Sequence, residues 1–507
     1  MSARLARWAP AIVFAVLTFA HALILPTFEG MDEPAHLSSI LQFTNGHGRP
    51  MPGGARLHQS IERAIPLVPG PYHQWETARR IGGLSYVEWR RLDPAERDRR
   101  ARELATLNVT SWQDGQIENW QAKHPPLYYA LVGYAARLSG ATTLMSAHRF
   151  ARVMSAALFA TTGVLLTAFI IGPWGASPRT ALFVCLLPMW YVIGARISND
   201  ALAIPALSLA LLVTIDQIRR PVASWRWSAW VVAGAAAAIG LAAKGYGLIF
   251  AAVALTAIVV ALHAVVRKGA PARAVWLPVL ALAIMLVADG WWLIENEARG
   301  AGLIGTNVNV RLMTRGIVTM TDRLPYARTL IVEQPKQALS ALLRSDTQML
   351  YASNWTIGAA PWWFYLLQLG LLATIAGPLV RRRPWSSLSP PLRAAAVVAG
   401  AALAMLALGI AWSVLDYFIL FGETRLAQGF YVWAGGAAFS AALALALNLA
   451  PPVRQRLIVL GQAICLVSAL TTDLMFWSGR YERDPVWRTP VRVAVSSPLP
   501  ATSFLLP

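Results

Sequence analysis

Residues 125–139 read PPLYYALVGYAARLS, and their interpretation decides the fold of the chain. The segment is apolar, but its length of about 15 residues falls short of the roughly 20 that a membrane-spanning helix needs. It also opens with two prolines, which suit the first turn of a helix better than its interior. We therefore predict a helix that lies at the membrane surface, or dips into it, without crossing.

The 507-residue chain as a whole has the composition of an integral membrane protein. It is 56% hydrophobic and 14% charged, whereas soluble domains carry about 25% charged residues. Its mean hydropathy is +0.49. Apolar runs of membrane-spanning length recur throughout, and a spanning backbone must satisfy its own hydrogen bonds. The expected fold class is an all-α integral membrane protein.

We predict about eleven transmembrane helices, with two large outer loops that bear juxtamembrane helices. The expected spans are 9–27, 150–171, 180–197, 200–216, 228–243, 246–266, 274–294, 361–380, 393–413, 426–449 and 457–476. If residues 125–139 do not cross, the basic clusters all fall on one side, which the positive-inside rule assigns to the cytoplasm. These clusters contain Arg4, Arg7, Arg219, Arg220, Arg226, Arg267, Lys268, Arg273, Arg381, Arg382, Arg383, Arg454 and Arg456.

Four regions follow from this topology. Residues 1–294 form an N-terminal transmembrane module that includes the first outer loop, 28–149. Residues 295–360 form a second outer loop, 361–476 the C-terminal transmembrane helices, and 477–507 an extended outer tail. Residues 9–27 are interpreted as a retained first helix, because no small-residue cleavage site of the A-x-A kind follows them.

The net charge of +19 is expected to reflect contacts with anionic membrane lipids rather than with nucleic acid. Cys185 and Cys465 lie in separate apolar runs, so no disulfide framework is predicted.

Five polar groups lie on the predicted outer face. Each has a simpler interpretation: a helix cap for Asp32 ahead of Pro34, interfacial lysines and tyrosines, or a tight turn. Taken together, they indicate a site at the outer boundary where carboxylates could deprotonate a hydroxyl and cations could hold a phosphate. The groups lie within residues 29–36, 123–129, 196–200, 244–246 and 423–431.

At these residues the sequence resembles the GT-C glycosyltransferase superfamily, which includes protein O-mannosyltransferases, lipid A aminoarabinose transferases and arabinofuranosyltransferases. The resemblance rests on Asp32-Glu-Pro-Ala-His36, His124-Pro-Pro-Leu-Tyr-Tyr129, an outer Asp200 and the large first outer loop, and is best over residues 1–270. Ser198-Asn-Asp200 and Arg425-x-x-Gln-Gly-Phe-Tyr431 are most similar to a bacterial branch of polytopic membrane proteins.

The resemblance implies inverting transfer of a sugar from a polyprenyl-phosphate donor to a cell-envelope glycan, lipid or protein acceptor. It places the general base at Asp32, with Glu33 as the alternative. Candidate residues for donor or phosphate binding are Lys123, His124, Lys244 and Arg425. Candidate substrate-orienting residues are His36, Tyr128, Asn199, Asp200 and Gln428. We expect no cofactor and no metal, since Asp32 and Asp200 lack a convincing third ligand.

The resemblance also implies a location in the bacterial inner membrane, with the site facing the periplasm. Three alternatives remain open at this stage. The chain could be a lipid or polysaccharide transporter, such as a flippase, with Asp289 inside a span as the supporting feature. It could be a non-catalytic assembly protein, or a polymer transferase similar to the O-antigen ligases.

Overall fold

Apolar runs of this length favour helices, and helices dominate the computed structural model of the protein. The structure describes residues 3–50, 54–70, 79–299, 312, 315–339, 360–380, 387–422 and 429–481. Its helices, numbered in chain order, are α1 (Ala3–Ile24), α2 (Glu33–Thr44), α3 (Gln59–Ala64), α4 (Tyr86–Arg91), α5 (Pro94–Thr106), α6 (Leu127–Leu138), α7 (Leu144–Ile171), α8 (Pro178–Cys185), α9 (Pro188–Gly194), α10 (Asp200–Ile218), α11 (Trp227–Ala243), α12 (Gly247–Lys268), α13 (Arg273–Ala298), α14 (Met320–Arg328), α15 (Trp362–Val380), α16 (Pro390–Phe421), α17 (Gly436–Leu447) and α18 (Pro452–Tyr481).

The fold class predicted from the sequence, an all-α membrane protein, is confirmed. Within the described ranges, seven helices are long and apolar enough to cross a membrane: α1, α7, α10, α12, α13, α16 and α18. Three shorter apolar helices lie at Trp227–Ala243, Trp362–Ile375 and Val432–Leu447. All ten match predicted spans, while the total of eleven stays a prediction.

The span predicted at 180–197 is wrong as a continuous helix. Its residues form the short helices α8 and α9, which are interrupted at Leu186 and Leu187. Pro188 explains the break, because proline lacks the N–H for the helical ladder and clashes with the preceding turn. Every residue of α9 is buried, so the interrupted backbone is enclosed by protein, as interrupted backbone at membrane depth must be.

Residues 125–139 form α6, with Pro125 and Pro126 immediately before its first residue. Twelve helical residues span about 18 Å, well short of the roughly 30 Å hydrocarbon core. One face buries Tyr128 and Tyr129. The apolar side chains exposed on the helix are Leu127, Leu131, Tyr134 and Leu138. A short helix with an exposed apolar stripe is the form expected at a membrane surface.

The first large loop, residues 28–149, contains helices and strands that pack against one another. Its helix α2 packs against α6, and the contact is close because a Cβ on Gly133 would lie 2.7 Å from the backbone oxygen of Ile40. The loop also contains a two-stranded sheet that the sequence did not predict. Strand β1 (Arg56–His58) pairs antiparallel with β2 (Asp114–Glu118), so Arg56 lies opposite Glu118.

The second large loop contributes α14, which docks on the end of α16. The Arg323 guanidinium donates from Nε to Asp416 Oδ1 at 2.9 Å and lies 4.8 Å from the centroid of the Trp412 ring. At the other end of the chain α18 continues to Tyr481, so residues 477–481, predicted as the start of an extended tail, are helical. The remainder of that predicted tail lies outside the described residues.

The topology is testable with a matched pair of cysteine substitutions. In a background that lacks Cys185 and Cys465, both of which are buried, we expect Ser139→Cys to react with an impermeant thiol reagent added from outside. Ser224→Cys, which lies in the basic loop between α10 and α11, should stay unreactive until the membrane is opened. Both serines are exposed. If the outside reagent labelled Ser224→Cys but not Ser139→Cys, the predicted orientation of the helices in the membrane would be wrong.

Candidate functional site

The connection between α1 and α2 is organised by a buried ion pair. Glu33, the first residue of α2, is fully buried and bonds the Arg152 guanidinium of α7 at both oxygens, at 2.8 Å from Nε and 2.6 Å from Nη2. Arg152 also donates to the backbone oxygens of Leu25 and Pro26. One guanidinium therefore holds both ends of the segment that joins the two helices.

Glu33 has further partners, so its carboxylate is fully occupied. It accepts the backbone N–H groups of Ile197 at 3.0 Å and Gly30 at 3.2 Å, and the Nε2 atom of His148 lies 3.5 Å away. Burial alone would raise the pKa of Glu33, but the charge of Arg152 and the bond to His148 outweigh it and lower that pKa. Glu33 is therefore an ionised structural anchor.

The backbone between these anchors is strained. Phe28 and Asp32 are the non-glycine residues of the described chain with positive φ, at 60° and 59°, where non-glycine residues are uncommon and bulky ones are outliers. Gly30 between them has no room for a side chain, because a Cβ would lie 2.5 Å from Glu33 Cδ and 2.7 Å from Arg196 Cβ. Such strain persists only where the surroundings enforce it.

Asp32 occupies the position before α2 without capping it. The interpretation of Asp32 as a helix cap is wrong, because its side chain makes no capping hydrogen bond. Instead Oδ1 accepts the indole N–H of Trp120 at 2.8 Å. Burial raises the pKa of Asp32, opposed by that hydrogen bond and by the charges of Lys123, Arg196 and Lys244. The carboxylate is thus near three cations, yet it forms no ion pair with the described residues.

The motif at 124–129 meets α2 through two histidines and a tyrosine. His36 Nδ1 and the Tyr129 hydroxyl are 2.8 Å apart, and the His36 ring stacks on His124 with centroids 6.2 Å apart. Burial lowers the pKa of His36 to about 3 and the pKa of His124 well below its usual value, so both rings are neutral at physiological pH. Tyr128 points elsewhere, with its hydroxyl 2.6 Å from Ser155 Oγ on α7.

The third and fourth polar groups form one ion-pair network. Asp200 Oδ2 accepts from Arg196 Nη2 at 2.9 Å, and Oδ1 accepts from Lys244 Nζ at 2.7 Å. Lys244 also lies 4.7 Å from the centroid of the Tyr246 ring. Its burial and pairing rule out the interpretation as a plain interfacial lysine. Asn199 is fully buried and donates to the backbone oxygen of Ala243 at 2.9 Å, which ties α10 to the end of α11.

Four of the five polar groups therefore converge, as the sequence predicted from their common side. Charges at Lys123, Arg196, Asp200 and Lys244 all act on Asp32 or on the neighbouring histidines. Arg425 and Gln428 of the fifth group lie outside the described residues. The 3-10 helix that follows them, Gly429–Gly435, packs against α10, the helix that begins at Asp200.

Sequence reasoning missed several residues that build this site. Arg152 could have been found, since a charged residue inside a predicted span is a functional candidate by itself. Trp120 was not distinguished by the sequence, because any of the chain's 21 tryptophans could have faced lipid. Tyr129 belonged to the quoted motif at 124–129, but its contact with His36 was not predicted. Over the residues that the structure describes, no three His, Cys, Asp or Glu side chains are grouped to hold a metal ion.

Removing the anchor should unfold the site rather than disable a reacting group. In Glu33→Gln, Arg152 is left charged and buried without its carboxylate, which costs about 3–5 kcal/mol for pairs of this kind. We expect a clear fall in the thermal unfolding midpoint of detergent-solubilised protein. The control Asp32→Asn breaks no ion pair and should unfold close to the parent; equal midpoints for Glu33→Gln and the parent would refute the anchoring role.

Comparison with known proteins places the chain in a family. No curated protein matches the sequence. The structure is similar to ArnT from Cupriavidus metallidurans bound to undecaprenyl phosphate, with 15% identity, a TM-score of 0.39 and coverage of 82% of this chain and 68% of that one. It is also similar to the apo oligosaccharyltransferase of Archaeoglobus fulgidus, with 11% identity, a TM-score of 0.41 and coverage of 95% and 58%. The family profile described as "Predicted membrane protein (DUF2142)" matches residues 14–431, and the chain therefore belongs to that family of multi-pass membrane proteins.

Proposed function

We propose that the protein is an inverting membrane glycosyltransferase that moves a sugar from a polyprenyl-phosphate donor to an envelope glycan, lipid or protein acceptor. The site would face the outer side of a bacterial inner membrane. The observation that carries the proposal is the surroundings of Asp32. A carboxylate held by a neutral donor lies beside Lys123, Arg196 and Lys244, at residues that resemble the GT-C superfamily.

The chemistry requires a base and a cationic site close together. Asp32 takes the proton from the acceptor hydroxyl, and the acceptor oxygen bonds to the anomeric carbon from the face opposite the phosphate. The bond between that carbon and the phosphate oxygen breaks, and its electrons leave with the polyprenyl phosphate. Cations that face the departing oxygen stabilise the charge that develops on it.

Asp32 fits the role of base better than its neighbour Glu33. A base must be able to accept a proton, and the ion pair with Arg152 holds Glu33 ionised and lowers its pKa. Burial shifts the pKa of Asp32 upwards, which strengthens it as a proton acceptor. The Glu33 carboxylate is engaged in the ion pair with Arg152, whereas the Asp32 carboxylate can accept a proton from the acceptor.

The cations fit the donor. Burial lowers the pKa of Lys123 and Lys244, and neighbouring carboxylates, foremost Asp32 for Lys123 and Asp200 for Lys244, oppose that shift. Arg196 and Lys244 both form ion pairs with Asp200. A lipid phosphate would add negative charge on that side. His36 and His124, both neutral, can orient sugar or acceptor hydroxyls without competing for the phosphate.

Asp32→Asn decides the base assignment. The amide keeps the shape of the side chain and can still accept the Trp120 N–H, but it has lost the basicity, so we expect a folded variant whose sugar transfer falls by about 10²–10⁴-fold. Transfer from synthetic polyprenyl-phosphate sugars to membrane acceptors measures this. Exposed Asp114, whose carboxylate accepts a tryptophan N–H in the same loop, supplies the control Asp114→Asn, which should keep parental rates. Near-normal transfer by Asp32→Asn would refute the assignment.

The rate of the parent protein should also depend on pH in one direction. Asp32 works as a base only when it is deprotonated, and burial raises its pKa. Lowering the pH through that raised pKa should therefore reduce the rate, with a midpoint above the ordinary aspartate value of about 3.9. A kcat/KM profile that stays flat down to pH 4 would contradict the raised pKa.

Lys244 should contribute to binding of the donor phosphate. Removing its ammonium in Lys244→Met takes away one charge-assisted contact, so we expect the affinity for polyprenyl phosphate to fall about tenfold. The matched control is Lys268→Met, because Lys268 is exposed at the opposite end of α12. Equal lipid-phosphate affinity in Lys244→Met and the parent would remove Lys244 from the donor site.

A further inference from the structure

The turn that follows β2 brings Trp120 to the candidate base. Asn119 donates its backbone N–H to the oxygen of Ala55 at 2.9 Å, and its own backbone oxygen accepts from Ala122 at 3.1 Å. His124 closes the next hydrogen bond, to Gln121 at 3.2 Å. The same turn therefore carries Trp120, which bonds Asp32, and Lys123, whose charge acts on Asp32.

This turn is fastened to α2 at a second point. Asn119 is buried, and its Nδ2 donates to Ser39 Oγ at 3.1 Å. Ser39 in turn donates to the backbone oxygen of Ala35 at 3.1 Å, so its hydroxyl orientation is fixed within α2. Because Asp32 directly precedes α2, the turn and the helix are joined at both Ser39 and Asp32. The turn that carries Trp120 therefore cannot move away from α2 without breaking the bond between Asn119 and Ser39.

We propose that Trp120 is a positioning residue for Asp32. Its indole N–H holds one carboxylate oxygen, and this fixes the side-chain orientation in which the other oxygen faces the acceptor hydroxyl. The inference rests on the proposed function for its catalytic consequence. The positioning of Asp32 by Trp120 is argued from three observations: the 2.8 Å bond between Trp120 Nε1 and Asp32 Oδ1, the positive φ of Asp32, and the lack of a capping hydrogen bond from its side chain. Trp120 orients Oδ1, and Oδ2 takes the proton in the proposed reaction.

The sign of the expected effect follows from the hydrogen bond. A donor to a carboxylate stabilises the charged form, so removing it raises the pKa of the acid. In Trp120→Phe the acid limb of the kcat profile should move up by about one pH unit, which is about a tenfold loss below the midpoint. Since Trp120 is not placed at the phosphate, KM for the donor should change less than about twofold.

A matched control exists in the same loop. The indole of Trp112 donates to Asp114 at 3.0 Å, so Trp112→Phe deletes the same kind of bond at a distance from Asp32 and should leave the pH profile of the parent unchanged. Site-specific incorporation of benzothienylalanine at position 120 replaces the N–H by sulfur with nearly the same ring shape. The benzothienylalanine variant should show the same shift of the acid limb as Trp120→Phe. It keeps the ring shape, so it tests the hydrogen bond even if Trp120→Phe loses thermal stability.

A second measurement needs no turnover. Carbodiimide in the presence of an amine labels protonated carboxyl groups, so the pH midpoint of Asp32 labelling, read by mass spectrometry, reports its protonation. We expect the midpoint to rise by about one unit in the position-120 variants and to stay in Trp112→Phe. An unchanged midpoint at position 120 overturns the inference even if sugar transfer is intact. A raised midpoint in a protein that transfers no sugar supports the inference and overturns the proposed function.

Discussion

The buried pair between Glu33 and Arg152 is the interaction on which the rest of this site depends. Both side chains are almost fully removed from solvent, where an unpaired charge is far more costly than at a surface. Six hydrogen bonds of the guanidinium and the carboxylate join the end of α1, the start of α2, α7 and the turn at Ile197. The segment that these bonds close contains Phe28 and Asp32, both with positive φ.

Three carboxylates at the site have different tasks because their partners differ. Glu33 is neutralised by Arg152, and Asp200 by Arg196 and Lys244. Asp32, among the residues the structure describes, receives a neutral indole donor instead. A carboxylate in an ion pair is stabilised as an anion, whereas one held by a neutral donor in a partly buried place remains able to accept a proton. Similar side chains are therefore held in ion pairs at two positions and by a neutral donor at the third.

The first large loop matters because it makes the site rigid. Hydrogen bonds from Asn119 to Ser39 and from His58 to Ser38 fasten the small sheet to α2. Helix α6 is fastened to the same helix by the Thr44 hydroxyl, which donates to the Gly133 oxygen. If the proposed function is correct, these contacts orient the site before substrate binds, and preorganisation of this kind is a major source of electrostatic stabilisation in enzymes.

The sequence by itself determined the membrane class, most of the spans and the convergence of four polar groups, because apolar length and the side of each loop are properties of a linear pattern. It also predicted that residues 125–139 are too short to cross, and the helix found there has twelve residues. Only the tertiary structure decided that Asp32 is no helix cap and that Glu33 is an anchor. Those outcomes depend on Arg152, which lies 119 positions from Glu33, and on Trp120, which lies 88 positions from Asp32. Local sequence patterns do not predict contacts between residues so far apart in the chain.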